Sequence, residues 1–124
     1  MMSLAIALQA VAALNLVCVG TLRSGPIGIA LPEADGEPFE IVYRIDFAAR
    51  SWCADTCAAR EPIASVEGGQ ILLRDRQGPS GSHVITIFPA GGRFTDTLIE
   101  GETATLRSGR CLPAGFSNVP DRIA

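Results

Sequence analysis

The chain of 124 residues has room for one domain, and a composition of 48% hydrophobic and 19% charged residues excludes a disordered polypeptide. Net charge is −3, and the ten basic side chains are all arginines scattered along the chain. This excludes an electrostatic nucleic-acid interface, a lysine Schiff base and a phosphate-loop lysine.

Residues 1–22 carry no charge and open with the apolar run Leu4-Ala5-Ile6-Ala7-Leu8, then Ala10-Val11-Ala12-Ala13. Ala10 and Ala12 stand in the A-x-A relation read by signal peptidase, so the segment 1–13 reads as a signal peptide cut after Ala12 or Ala13. Residues 14–124 are then a single exported domain, periplasmic or secreted. The rival is an uncleaved membrane anchor, since about twenty uncharged residues just span a bilayer; only in that case does the protein contact a membrane. Gln9 and Asn15 interrupt the run, and residues 14–19 read equally well as a strand, which favours the leader. Leu16-Val17 before Cys18 lacks the small residue that precedes a lipidated cysteine.

Pro26 to Pro38 reads as a loop, with a candidate strand at 27–31. Residues 39–47 alternate strictly, with Phe39, Ile41, Tyr43, Ile45 and Phe47 on one face and Glu40, Arg44 and Asp46 on the other. Period two over nine residues predicts a strand with one wet face. Beyond it, Trp52-Cys53-Ala54-Asp55-Thr56-Cys57 leads into a predicted turn over 54–60. Residues 63–66 and 70–74 read as strands about the hairpin signal Glu67-Gly68-Gly69, and 76–81 as a loop by composition. Residues 84–88 and 94–99 flank Pro89-Ala90-Gly91-Gly92 as a second hairpin, 103–107 lead a closing strand towards Cys111, and the tail from Pro113 is irregular. The expectation is an all-β, antiparallel up-and-down meander of seven or eight short strands, closed as a small barrel or left open, with a β-sandwich as runner-up.

Four cysteines in a short exported chain read as a disulfide framework with three connectivities. Cys53 and Cys57 are close enough to close a local loop, which leaves Cys18 with Cys111, joining the first strand to the last. The W-C-x3-C segment has one residue too many for the W-C-x-x-C redox motif, which also needs its first thiol at a helix N-terminus. A redox role for Cys53 and Cys57 is the alternative reading of that pair. No ligand set of metal-site spacing is present, and no cofactor is implied.

A cysteine-bearing first strand, an alternating strand leading to W-C-x3-C, Pro62-Ile63-Ala64-Ser65-Val66, Gln70-Ile71-Leu72-Leu73 and a terminal Gly109-Arg110-Cys111 together resemble an uncharacterised group of small exported bacterial β-proteins. The resemblance covers most of the mature chain and implies export and β architecture, with no activity. In general layout the chain is also similar to the periplasmic lysozyme inhibitors, small barrels with a disulfide near their ends. Their inhibitory loop has a Ser-Gly-Ala-type segment and a lysine; Pro89-Ala90-Gly91-Gly92-Arg93 departs from both, so this likeness implies fold alone.

Catalytic candidates are sparse. His83, the only histidine, would need Ser80 or Ser82 as nucleophile and Asp75 or Asp96 as orienter, without a nucleophile elbow. Asp46, Asp55 and Glu61 around the cysteine loop are the candidate acid–base carboxylates. Arg44, Arg50 and Trp52 form the candidate interaction surface, with packing of Trp52 over the Cys53–Cys57 bridge as the competing reading. The expected function is a non-enzymatic binding domain, its partner an envelope protein, a glycan or a small apolar ligand. The alternatives are an envelope thiol–disulfide protein using Cys53 and Cys57 or a membrane-anchored small protein.

Overall fold

Alternating apolar and polar residues demand an extended chain. The computed structural model, whose described residues are 13–29 and 36–114, is accordingly built from strands alone. They are β1 (Ala13–Pro26), β2 (Glu37–Asp46), β3 (Ser51–Ala54), β4 (Glu61–Pro62), β5 (Ser65–Glu67), β6 (Gln70–Gly78), β7 (Gly81–Phe88), β8 (Arg93–Glu100) and β9 (Thr103–Ala114). All pair antiparallel in one sheet, ordered β4-β3-β2-β1-β9-β8-β7-β6-β5. The sheet curls through about 290° into a half-barrel. This is the expected meander, and a single sheet leaves no second layer for a sandwich.

The ladder order has a simple meaning. Every strand neighbours its sequence neighbour except at one place, and β1 pairs with β9, from Asn15 opposite Ala114 to Pro26 opposite Thr103. The first strand is therefore sealed to the last in mid-sheet. The edges are β4 and β5, which are consecutive in sequence and joined only by Ile63 and Ala64.

Inward-facing side chains fill the interior as the alternation requires. Leu16, Tyr43, Ile45, Trp52, Ile71, Leu73, Ile85, Ile87, Phe94 and the Cys18–Cys111 pair form the buried core, with Phe39 and Ile41 packed against it. Tyr43 stands in tilted or edge contact with both Trp52 and Phe94, at centroid separations of 5.8 and 5.6 Å. Both expected disulfides are formed, Cys18–Cys111 and Cys53–Cys57.

Several boundaries differ from the sequence expectation. Residues 51–54, taken with the cysteine loop, form strand β3, because Ile45 and Trp52 face each other across its ladder and both turn inwards. The expected strand at 63–66 divides into the crossing residues Ile63 and Ala64 and the start of β5. The expected loop at 76–81 shrinks to the two turn residues Pro79 and Ser80, since pairing continues to Gly78 opposite Gly81. Polar composition there reflects a solvated ladder end. At 54–60 the chain makes a turn, closed by the Cys57 N–H donating to the Ala54 carbonyl at 2.8 Å. Pro113 and Ala114, placed in an irregular tail, extend β9. The candidate strand at 27–31 divides between a turn at 27–29 and residues outside the described set. The segment 1–12, bearing nearly all of the expected signal peptide, and residues 115–124 also lie outside it.

Beside the disulfide, Gly20 faces Gly109 across the β1–β9 ladder, and a Cβ on either would overlap the backbone of the other strand. Gly109→Ala is expected to cost about 2–3 kcal/mol, the upper part of the roughly 1–3 kcal/mol typical of overpacking, because the atoms met are backbone and cannot yield. Urea denaturation measures it. A change below about 0.5 kcal/mol would mean that the two strands separate there at little cost.

Candidate functional site

Strict alternation along β6 would send Ile71, Leu73 and Asp75 inwards. The chain does otherwise. Its register against β7 runs Ile71 to Ile87 and Leu72 to Thr86, then jumps to Arg74 opposite Ile85 and Arg76 opposite His83. This bulge at Leu73 keeps that side chain in the core and shifts the phase by one, so that Arg74 turns inwards, part-buried, while Asp75 turns out and Arg76, further along, stays exposed.

Arg74 becomes the centre of a polar chain that crosses five strands. Its Nε donates to Glu61 Oε2 at 3.0 Å and its Nη2 to Glu61 Oε1. Its Nη1 meets His83 Nδ1 at 2.8 Å. His83 Nε2 lies 2.7 Å from Asp96 Oδ1, and Arg107 Nη1 donates to Asp96 Oδ2 at 3.2 Å. Glu61, Arg74, His83, Asp96 and Arg107 come one each from β4, β6, β7, β8 and β9. An arginine N–H can only donate, so His83 accepts at Nδ1 and donates from Nε2 to Asp96.

This chain also closes the barrel where the backbone does not. Between the β3–β4 edge and β6 the connections are Glu61 to Arg74, Glu61 to Arg76 at 3.2 Å, and the Trp52 indole N–H donating to the Leu73 carbonyl at 2.9 Å. The Arg74 guanidinium lies 5.3 Å from the Trp52 ring centroid, in cation–π contact. The hydrogen bond from Arg74 holds the Glu61 carboxyl below the usual glutamate range, the nearby Arg76 and His83 adding to it against the opposing effect of burial. A carboxylate with a depressed folded-state pKa contributes stability that is present above its unfolded value, about pH 4.3, and lost as pH falls through the folded value. The urea midpoint of Glu61→Gln is therefore expected to lie below that of the natural protein at pH 7, and the gap to narrow on acidification below about pH 4.3. A gap that stays constant down to about pH 2 would show that Glu61 is not the group that titrates.

Beyond the polar chain lies an open cavity of about 370 Å³. Ile41, Ile85 and the cysteine-loop residues Ala54, Ala58 and Ala59 supply its apolar wall, and Asp55, Thr56 and Arg107 its outer polar groups. The loop is fastened over it by the Cys53–Cys57 bond and by Asp55, whose N–H donates to the Val42 carbonyl at 2.7 Å and whose carboxylate accepts from the Val42 N–H at 3.1 Å. Asp55 and Cys57 both take left-handed backbone conformations, φ 53° and 58°. Tyr43 also lines the cavity, only 1% exposed, and its hydroxyl has no hydrogen-bond partner among the described residues. Burial and then Asp96 push its pKa well up, Arg107 opposing and Asp55 reinforcing, so the hydroxyl stays protonated.

The residues singled out by sequence fall in different places. Trp52 is 4% exposed and turned into the barrel with Ile45, whereas Arg44 pairs in register with Cys53 on the opposite face of the same ladder. Arg50 is exposed in the turn before β3 with φ 56°. The three do not make one continuous surface, because neighbouring strand positions point to opposite sides. Trp52 does reach the cavity, from within.

For His83, the structure forms the contact with Asp96 but not a triad. Its second nitrogen is taken by Arg74, and Ser82 is the adjacent strand residue, on the other face. The three acid–base candidates are each engaged separately: Asp46 accepts from the Ala49 N–H, Asp55 from Val42 and Glu61 from its arginines. Among the described residues, no group of three or more His, Cys, Asp or Glu side chains is placed to hold a metal ion. No helix of the described residues is long and apolar enough to cross a membrane.

Sequence reasoning does not single out Arg74, Asp96, Arg107 and Tyr43 together. The signal for Arg74 is the apolar pair Leu72-Leu73 followed by a charge of the wrong phase. No protein-family model, curated protein or solved structure matches the chain.

Proposed function

We propose that this is a non-enzymatic binding domain that takes a small polar ligand in the cavity under the cysteine loop. The observation that carries this is the Tyr43 hydroxyl, buried in the cavity lining without a partner among the described residues. A buried hydroxyl left unpaired costs about 1–3 kcal/mol, and a ligand acceptor that reaches it recovers that loss. A volume of about 370 Å³ lies at the lower end of the range of small-molecule sites, about 300–1,000 Å³. The cavity's aromatic residues, Tyr43 and Trp52, are buried, so neither offers an open ring face to a sugar, which favours a small molecule over a glycan. Two disulfides favour an oxidising compartment and hence export.

The experiment is amide chemical-shift mapping of the oxidised protein with a small-fragment set at millimolar concentration. Perturbations concentrated on residues 54–59, Arg74 and Arg107 are expected. Their absence for every fragment, or a steady turnover, would overturn the reading.

A second reading has its own observation. Cys57 is half-buried between the cavity-lining residues Thr56 and Ala58, and it and Asp55 are non-glycine residues held in left-handed conformations, the kind of local strain that gathers at functional sites. On this reading Cys53 and Cys57 exchange with other thiols and the cavity receives the partner. Equilibration of that bond against glutathione near about −200 mV supports it. A bond that stays formed below about −300 mV, as structural disulfides do, disposes of it.

A further inference from the structure

The charged groups of the cavity are almost all spent on one another. Glu61 is held by Arg74 and Arg76, Arg74 uses its three nitrogens on Glu61 and His83, His83 uses both of its ring nitrogens, and Asp96 uses both oxygens. Among the described residues there are two exceptions: Asp55, whose carboxylate takes only the Val42 N–H, and Arg107. Arg107 makes a single contact with them, from Nη1 at 3.2 Å, which is long for an arginine–carboxylate bond, and its side chain is 41% exposed. Its remaining edge, two nitrogens of a planar fork, is the geometry that suits a carboxylate. Tyr43 supplies a second unspent donor in the same cavity.

Charge balance narrows the ligand. Asp55, Glu61 and Asp96 outnumber Arg74 and Arg107 along the lining, so a phosphate dianion is repelled about twice as strongly as a monoanion, and an anion is held only through the local contact of one guanidinium edge. The apolar wall of Ile41, Ile85, Ala54, Ala58 and Ala59 gives an uncharged body somewhere to rest.

We infer that the cavity takes a small monocarboxylate, its carboxylate seated between the outer edge of Arg107 and the Tyr43 hydroxyl and its carbon body against Ile41 and Ile85. The inference rests on the proposed binding function and names the ligand class. On binding, Arg107 keeps its contact with Asp96 and adds the ligand, and Tyr43 gains the partner it lacks. Ligand affinity and the stability of the empty protein therefore respond to Tyr43 in opposite directions. Removing the unpaired hydroxyl relieves the empty protein of a buried polar group and deprives the ligand of a donor.

The test is an amide-shift titration of the oxidised protein with propionate, inorganic phosphate and methyl glucoside, run on the natural chain and on Tyr43→Phe, Arg107→Gln and the distant control Arg93→Gln. Propionate is expected to move residues 54–59 and Arg107. Its Kd should rise about tenfold in Arg107→Gln and about fivefold in Tyr43→Phe, losses typical of a charged and a neutral hydrogen bond, and stay unchanged in Arg93→Gln. Tyr43→Phe without ligand should melt no lower than the natural protein. Phosphate or glucoside binding at the cavity where propionate does not would overturn the ligand class and leave the binding reading standing. Failure of all three probes together with the fragment set would overturn both. Propionate binding that is equal in all four proteins, or a Tyr43→Phe variant that loses stability and affinity together, would overturn the seating.

Discussion

Replacing Cys18 and Cys111 together by alanine is expected to cost the domain about 4.7 kcal/mol. The two residues are separated by 93 positions, and on the chain-entropy account a closed loop of about 100 residues restricts the unfolded chain by that amount. Small domains have only about 5–15 kcal/mol in total. The variant should therefore stand near the edge of folding, with a Tm lowered by roughly 19–38 °C at about 4–8 °C per kcal/mol. The matching double replacement of Cys53 and Cys57 opens a loop of only a few residues and should cost about 2 kcal/mol on the same account. Urea unfolding of both variants, under conditions that keep the remaining bridge oxidised, checks the ranking. The m-value should also rise more for the long-loop variant, because its unfolded chain expands further. Equal losses in the two variants would show that the unfolded chain stays compact without the long bridge.

Trp52→Ala should cost about 4 kcal/mol, within the roughly 3–5 kcal/mol typical of emptying a buried large aromatic site. Trp52 is 4% exposed and packs against Tyr43, and its indole N–H is one of the few bonds that cross from β3 to β6. Trp52→Phe separates the two contributions. It keeps most of the ring burial but leaves the Leu73 carbonyl, which belongs to the bulged residue, without its donor. That change should cost about 1–3 kcal/mol of the total. Thermal and urea denaturation of the two variants measure the difference. A Trp52→Phe protein as stable as the natural one would mean that the indole hydrogen bond adds nothing to the seam.

Much of the architecture can be read from alternation. Residues 39–47 announce β2 because a half-buried strand needs period two, and hairpin signals place β7 against β8. The pairing of Cys18 with Cys111 follows from which cysteines can reach each other locally, and it carries the first-to-last closure with it. The polar chain is hidden for a physical reason. A bulge is a change of phase, and β6 changes phase at Leu73 without a glycine or proline to mark it. His83 and Asp96 are far enough apart in sequence that only the β7–β8 register brings them within 2.7 Å. Trp52 is legible as either surface or core, and its register with Ile45 decides the matter. The short edges β4 and β5 escape notice because two or three residues cannot display a period.

The single break in the ladder lies between Pro62 and Ser65, inside the chain, while the outer ends of β1 and β9 lie side by side at Asn15 and Ala114. A circular permutant of residues 13–114 that begins at Ala64 and ends at Ile63, with a short linker joining Ala114 to Ala13, would have strands whose order in the chain matches their order across the sheet. Its new termini would fall where no backbone pairing is lost, and the long-range β1–β9 contact would become a local hairpin. Such a rearranged protein should fold faster than its parent, since closing a short loop takes less entropy than bringing two distant ends together.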